Sequence, residues 1–158
     1  MKFKRLPDLK TLYALFSFDD TGSLKWKSSG KEAGYLSVHG YYEVRINRSL
    51  YKKHRILYYL YHGVDPANLE VDHKDLNKQN NCKTNLRLGT KGNNSTNKIC
   101  QSNNKSGCKG VYKTKLGWRV QIWFDKQCKS LGTYKSYIYA CVVRKRAAKL
   151  YHGDWRRE

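Results

Sequence analysis

Apolar and polar residues recur with different periods along this chain, and the changes of period divide it into elements. Residues 9–16 (LKTLYALF) space their apolar side chains at helical intervals and predict a short amphipathic helix. After FDDTGS the period falls to two. GSLKWKS, GYLSVHG and GYYEVRIN alternate between turns bearing Gly or Ser, which predicts a small antiparallel sheet. Residues 50–62 (LYKKHRILYYLYH) read as an aromatic-rich helix, with Gly63 as its C-terminal cap. A short strand over 68–71 leads into Asp72 and His73, followed by a polar loop at 75–84 and a second strand at 86–88. Thr90 then suits the N-cap of a helix over 91–98.

Beyond this point CQSNNKSG has the composition of a linker. GCKGVYKTK, GWRVQIWFD and KQCKSLGTY are three β-like runs, and residues 136–151 read as one helix with Gly153 just past its end. The fold class expected is α+β, in two units: 1–98 with a strand–loop–strand–helix core at 68–98, a linker at 99–104, and 105–158 as three strands and a helix.

Length and composition add to this. The 158 residues suffice for one ordinary domain or two small ones, and 13 tyrosines with 4 tryptophans suit sheets with amphipathic faces. Charge narrows the partner. The net charge is +20, and residues 99–158 carry 14 basic against 3 acidic residues, leaving 18 against 9 before them. Both units are basic, as expected if a long polyanion crosses both. No apolar span approaches bilayer length and no basic amphipathic helix stands out, so no membrane partner is expected. The opening MKFKRLPDLKTLYALF is basic and then apolar, but Pro7, Asp8 and Lys10 interrupt any signal-like core, and a cytoplasmic protein is expected. The five cysteines include no CxxC pair and read as free thiols in a reducing compartment.

The stretch at 71–97, VDHKDLNKQNNCKTNLRLGTKGNNSTN, carries the chemistry. Hydrolysis of a phosphodiester needs a base for water, a cation to neutralise the phosphate and leaving oxygen, and a scaffold to align them. His73 suits the base, because an imidazole titrates near working pH. Asp72 can supply a hard oxygen to a metal. One carboxylate binds a divalent cation weakly, so Asn94 or Asn97 could add an amide oxygen without repelling DNA. That set favours Mg²⁺ or Mn²⁺, with no zinc expected. Asn85, opening the second strand, is best placed to pin the intervening loop, whose other amides can satisfy unpaired backbone groups.

These residues resemble the HNH nuclease motif, in the branch found in phage and intron-encoded homing endonucleases. The matching words are Asp72-His73, Asn80-Asn81, Asn85-Leu86-Arg87 and the NNSTN of 93–97. The resemblance implies a ββα-metal finger with His73 as general base, and Asp72 and Asn94 as metal ligands. Asn97 stands at the last motif asparagine, and Asn85 fixes the loop and orients His73. His54 and Arg55 match a pair usual in the preceding helix, and are assigned packing or phosphate contact. Lys74 departs from the apolar residue usual in relatives.

Residues 105–155 resemble the Apetala (ethylene-response-factor) DNA-binding domain, through SGCKGVYKTK, GWRVQIWF, KSLGTYKS and the closing YHGDW. That resemblance implies a sheet in the major groove, with Lys109, Tyr112, Lys113, Trp118, Arg119 and Gln121 contacting double-stranded DNA. Arg144, Lys145, Arg146 and Lys149 depart from the acidic helix of the family. Together the expectation is a monomeric phage-type endodeoxyribonuclease with no obligate protein partner. The competing class is a DNA-binding regulator without nuclease activity.

Overall fold

Asp8 opens the first helix, α1 (Leu9–Leu15), by accepting from the Thr11 N–H at 2.8 Å. The structure, a computed structural model, describes residues 4–90 and 103–155. α1 buries Leu12 and stops before Phe16, because Phe16 pairs with Trp26 in a hairpin of β1 (Phe16–Phe18) and β2 (Leu24–Trp26). A separate antiparallel sheet follows, β3 (Tyr35–Leu36), β4 (Tyr42–Ile46) and β5 (Ser49–Lys52).

The alternation thus gives two small sheets where one was expected. It also claims residues 50–52, read above as helix. Leu50 and Tyr51 pair with Arg45 and Val44, so the aromatic-rich helix α2 begins only at Lys53 (Lys53–His62). Cross-strand pairing overrides helical spacing there. The other end agrees with expectation: Gly63 sits at φ 66° and donates to the Tyr59 carbonyl.

Ile56, Leu57 and Leu60 of α2 meet Leu12, Phe16, Leu24, Val44 and Ile46 in one core. Each such side chain stabilises the fold by about 1.5–3 kcal/mol when fully buried. Val71 and Leu86 join this core from β6 (Glu70–His73) and β7 (Leu86–Gly89), an antiparallel pair in register Val71↔Leu88, Asp72↔Arg87 and His73↔Leu86. The site residues therefore stand on a ladder anchored to the core.

The chain divides into two compact units between Asn94 and Ser95. In the second, β8 (Val111–Thr114), β9 (Gly117–Phe124) and β10 (Gln127–Tyr134) form an antiparallel sheet with β9 central, and α3 (Tyr137–His152) packs on it. Ser136 caps α3 by accepting from the Tyr139 N–H. Val111, Val120 and Ala140 centre a small core. The helix expected over 91–98 and most of the linker at 99–104 lie outside the described residues. Among the described residues, no helix is long and apolar enough to cross a membrane, and Cys82, Cys108, Cys128 and Cys141 form no disulfide.

Candidate active site

Val71, Asp72 and His73 are all buried, so both faces of β6 are covered and two of its polar side chains need partners inside the protein. His73 is 4% exposed, and its Nε2 lies 3.0 Å from Oδ1 of Asn81. With that oxygen accepting, Nε2 carries the ring proton and Nδ1 keeps its lone pair. The His54 ring meets His73 edge-on at 5.0 Å, and Tyr41 lies against both rings, at 5.2 Å from His54 and 6.1 Å from His73. Burial pushes the His73 imidazole below its ordinary range, outweighing the Asn81 hydrogen bond and the Asp75 and Asp72 carboxylates, which pull the other way. The ring is therefore neutral at neutral pH, as a proton acceptor must be.

Asp72, 7% exposed, faces Arg87 across the ladder, and its Oδ2 accepts from Arg87 Nε at 3.1 Å and Nη2 at 3.0 Å. Sequence neighbours on one strand thus present an imidazole and a carboxylate, each with its own partner.

The loop at 74–85 is held largely by the amides crowded into it. Asn77, Gln79 and Cys82 backbone N–H groups donate to side-chain oxygens of Asp75, Asn77 and Asn80. Asn85 accepts from the Asp75 N–H at 3.1 Å and donates to the Asp75 carboxylate at 3.0 Å and the Asn80 carbonyl at 2.7 Å. Burial would raise the Asp75 carboxyl, but hydrogen bonds from Asn80, Asn85 and the Asn77 N–H hold it below the usual range. Asn85 thus acts on the loop, and the side chain on the His73 ring is that of Asn81. The sequence held Asn81 inside the Asn-Asn word but gave it no role, since neither period nor spacing says which amide faces the ring.

The first hairpin props this loop from behind. Cys82 Sγ donates to the Thr21 carbonyl at 3.0 Å, Lys83 N to Asp20 at 3.1 Å, and the Tyr61 hydroxyl to Asp19 at 2.7 Å. Gly22 makes the approach possible. At φ 99° it comes so close that a β-carbon would stand 2.8 Å from the Asn81 carbonyl carbon. Gly22→Ala is expected to cost at least about 1–2 kcal/mol from the left-handed backbone alone, and to displace Asn81. Urea unfolding of the variant measures the first effect.

Arg55, matched above to a motif pair, is 5% exposed and donates from Nη1 and Nη2 to the carbonyls of Leu69 and Ala67, both at 2.7 Å. It fixes the entry into β6. Its neighbour His54 is also buried, and burial, with the nearby His73, Arg55 and Lys52 charges, depresses its imidazole well below the ordinary value. The unfolded chain therefore binds the proton first. Stability is complete above about pH 6.5 and is lost as pH falls from there towards the depressed folded value, by at most about 1.4 kcal/mol per pH unit for one proton. Replacing His54 with Phe should flatten thermal stability against pH in that acid window, which melting curves at successive pH values would record.

Residues 51–96 match the HNH endonuclease family. The matched segment runs from β5 through α2, β6, the 74–85 loop and β7, and so contains His54, Arg55, Asp72, His73, Asn81 and Asn85. An uncharacterized HNH endonuclease of Acanthamoeba polyphaga mimivirus is 39% identical over 97 residues, covering 61% of this chain and 49% of that protein. The chain thus spans about half the length of the curated relative it matches. A solved structure of the HNH homing endonuclease I-HmuI, described as showing DNA binding and cleavage, aligns over 94% of this chain and 90% of its own at 23% identity. Its TM-score of 0.49 is too low to define a shared fold.

Of the residues predicted to hold a metal, Asp72 accepts from Arg87 through Oδ2, and Asn94 and Asn97 lie outside the described residues. Among the described residues, no three His, Cys, Asp or Glu side chains cluster to hold a metal. A donor set of one carboxylate with neutral amide oxygens fits a hard divalent cation.

In the second unit, strand parity separates the residues predicted to touch DNA. Val111, Val120 and Ile122 are buried, while Tyr112 and Arg119 pair on the opposite face together with Gln121 and Trp123. Trp118 packs on Tyr137 at 4.6 Å and belongs to the core, with Lys113 paired beside it. Lys109 is exposed in the turn before β8. Trp123, 63% exposed, joins the Arg119 and Gln121 face, as its odd-numbered position on β9 implies.

Proposed function

We propose that this protein is a metal-dependent, homing-type HNH DNA endonuclease that nicks or cuts double-stranded DNA at a site located by its C-terminal unit. The observation that carries this reading is the buried, neutral imidazole of His73, oriented by Asn81, next to the Asp72 carboxylate on the same strand. Nδ1 of His73 takes the proton from the attacking water. Asn85 keeps the loop, and through it Asn81, in place behind the ring. Asp72, with the amide oxygens of Asn94 and Asn97, would hold a divalent cation, Mg²⁺ or Mn²⁺. Such an ion supplies charge neutralisation at the phosphate and the departing 3′ oxygen.

The catalytic unit is assigned to residues 1–98 and the DNA-locating unit to 105–158. For the latter, an Apetala-like reading is supported by the three-stranded sheet with a helix on one face and Tyr112, Arg119 and Gln121 on the other. Arg119 suits guanine and Gln121 adenine, while Lys109 and the remaining basic residues contact phosphate. A single His73 site per chain acts on one strand at a time. The test is conversion of supercoiled plasmid to open circles with Mg²⁺ or Mn²⁺. Nicking that needs the ion and stops with EDTA supports the reading; no nicking with either ion removes it.

A further inference from the structure

The cations around His73 are mostly committed. Arg87 serves Asp72, Arg55 holds the entry to β6, and Lys53 is buried against Glu32 at 3.0 Å. Lys52 pairs with Glu43, and Lys74 donates to the Thr84 carbonyl at 2.6 Å. Lys78 differs. It is exposed, and its ammonium donates to the His39 carbonyl at 3.0 Å and stands 4.7 Å from the centroid of the Tyr41 ring. Among the described residues its partners are a carbonyl and an aromatic face and no carboxylate cancels its charge, and an ammonium has three donors of which one is used by them. The stem crosses Gly40, where an added β-carbon would lie 3.6 Å from Cδ of Lys78.

The Tyr41 ring is also in contact with His73, at 6.1 Å between centroids. Adding that to the 4.7 Å above puts the ammonium within about 11 Å of the imidazole, at most about three nucleotide steps along a strand at 3.4 Å each. We propose that Lys78, held by Tyr41 and the His39 carbonyl, grips a DNA backbone phosphate next to the one that His73 acts on. Pre-orientation matters, because a lysine otherwise gives up rotamer freedom on binding; Tyr41 and His39 restrict it beforehand. The contact is electrostatic and independent of sequence, so it fixes the strand in register with the base. This inference rests on the endonuclease reading above.

The experiment compares the full-length protein with Lys78→Met, which keeps the stem over Gly40, and with Lys78→Arg. In plasmid nicking, Lys78→Met should raise KM several-fold with a smaller change in kcat, and should flatten the salt dependence of DNA binding by about one phosphate contact, a slope change near 0.9. Lys78→Arg should restore both. Phosphate-ethylation interference should lose one position beside the cleavage site in Lys78→Met. If Lys78 only clamps the loop, melting temperature drops while salt slope and interference pattern stay native, and the proposal is overturned. If the native protein does not nick, the endonuclease reading fails, and the salt slope of DNA binding alone still decides for or against a Lys78 phosphate contact.

Discussion

His73→Ala should reduce nicking by about 10²–10⁴-fold, the usual contribution of a positioned base, while the protein stays folded. The ring lies at the end of β6 against Asn81, His54 and Tyr41 rather than among the aliphatic side chains, and those partners are anchored by their own elements. Losing it leaves a gap and an unpaired Asn81 oxygen, a penalty of about 1–3 kcal/mol. A drop in rate of that size with an unchanged circular dichroism spectrum identifies His73 as the base. Residual activity within threefold of native would transfer the role elsewhere. Asn81→Ala is the informative companion, because it removes the ring's acceptor and leaves the imidazole in place.

The second large effect concerns the pair beneath the site. Asp72 and Arg87 are opposite in register and both nearly inaccessible, with side chains 8% and 12% exposed. Removing one partner of a buried pair costs about 3–5 kcal/mol, because the other charge stays out of water. Arg87→Met should therefore lower the unfolding free energy by that order, and Asp72→Leu combined with Arg87→Met should recover most of the loss. A double-mutant cycle in urea measures the coupling. Single-variant losses that simply add in the double variant would mean that the pair is not coupled. Asp72→Asn should share that loss of stability and also suppress nicking, assayed at a temperature where the variant remains folded.

How much of this was legible beforehand varies by element, for physical reasons. The ladder of β6 and β7, the aromatic helix ending at Gly63, and the three strands and helix after the linker follow from period, turn residues and caps, which are local. The extra strand at β5 was not legible. Leu50 and Tyr51 fit a helix as well as a strand, and only pairing with Arg45 and Val44 decides between them. The split into two small sheets was hidden for the same reason. In the second unit, strand alternation puts Arg119, Gln121 and Trp123 on one face of β9, but does not say which face the helix covers. Packing of Trp118 on Tyr137 settles that.

The sequence by itself determined the chemistry offered at the site. Asp72 and His73 must be strand neighbours, and the asparagines must serve the loop that follows, because covalent spacing and residue type leave little choice. Tertiary structure alone decided the partners. That Asn81 rather than Asn85 meets the imidazole, that Arg87 occupies the Asp72 carboxylate, that Arg55 clamps the entry to β6, and that Gly22 lets the first hairpin support the loop are contacts between segments distant in the chain or around a turn. Burial creates the demand for such partners, and which side chain answers it depends on how the elements pack.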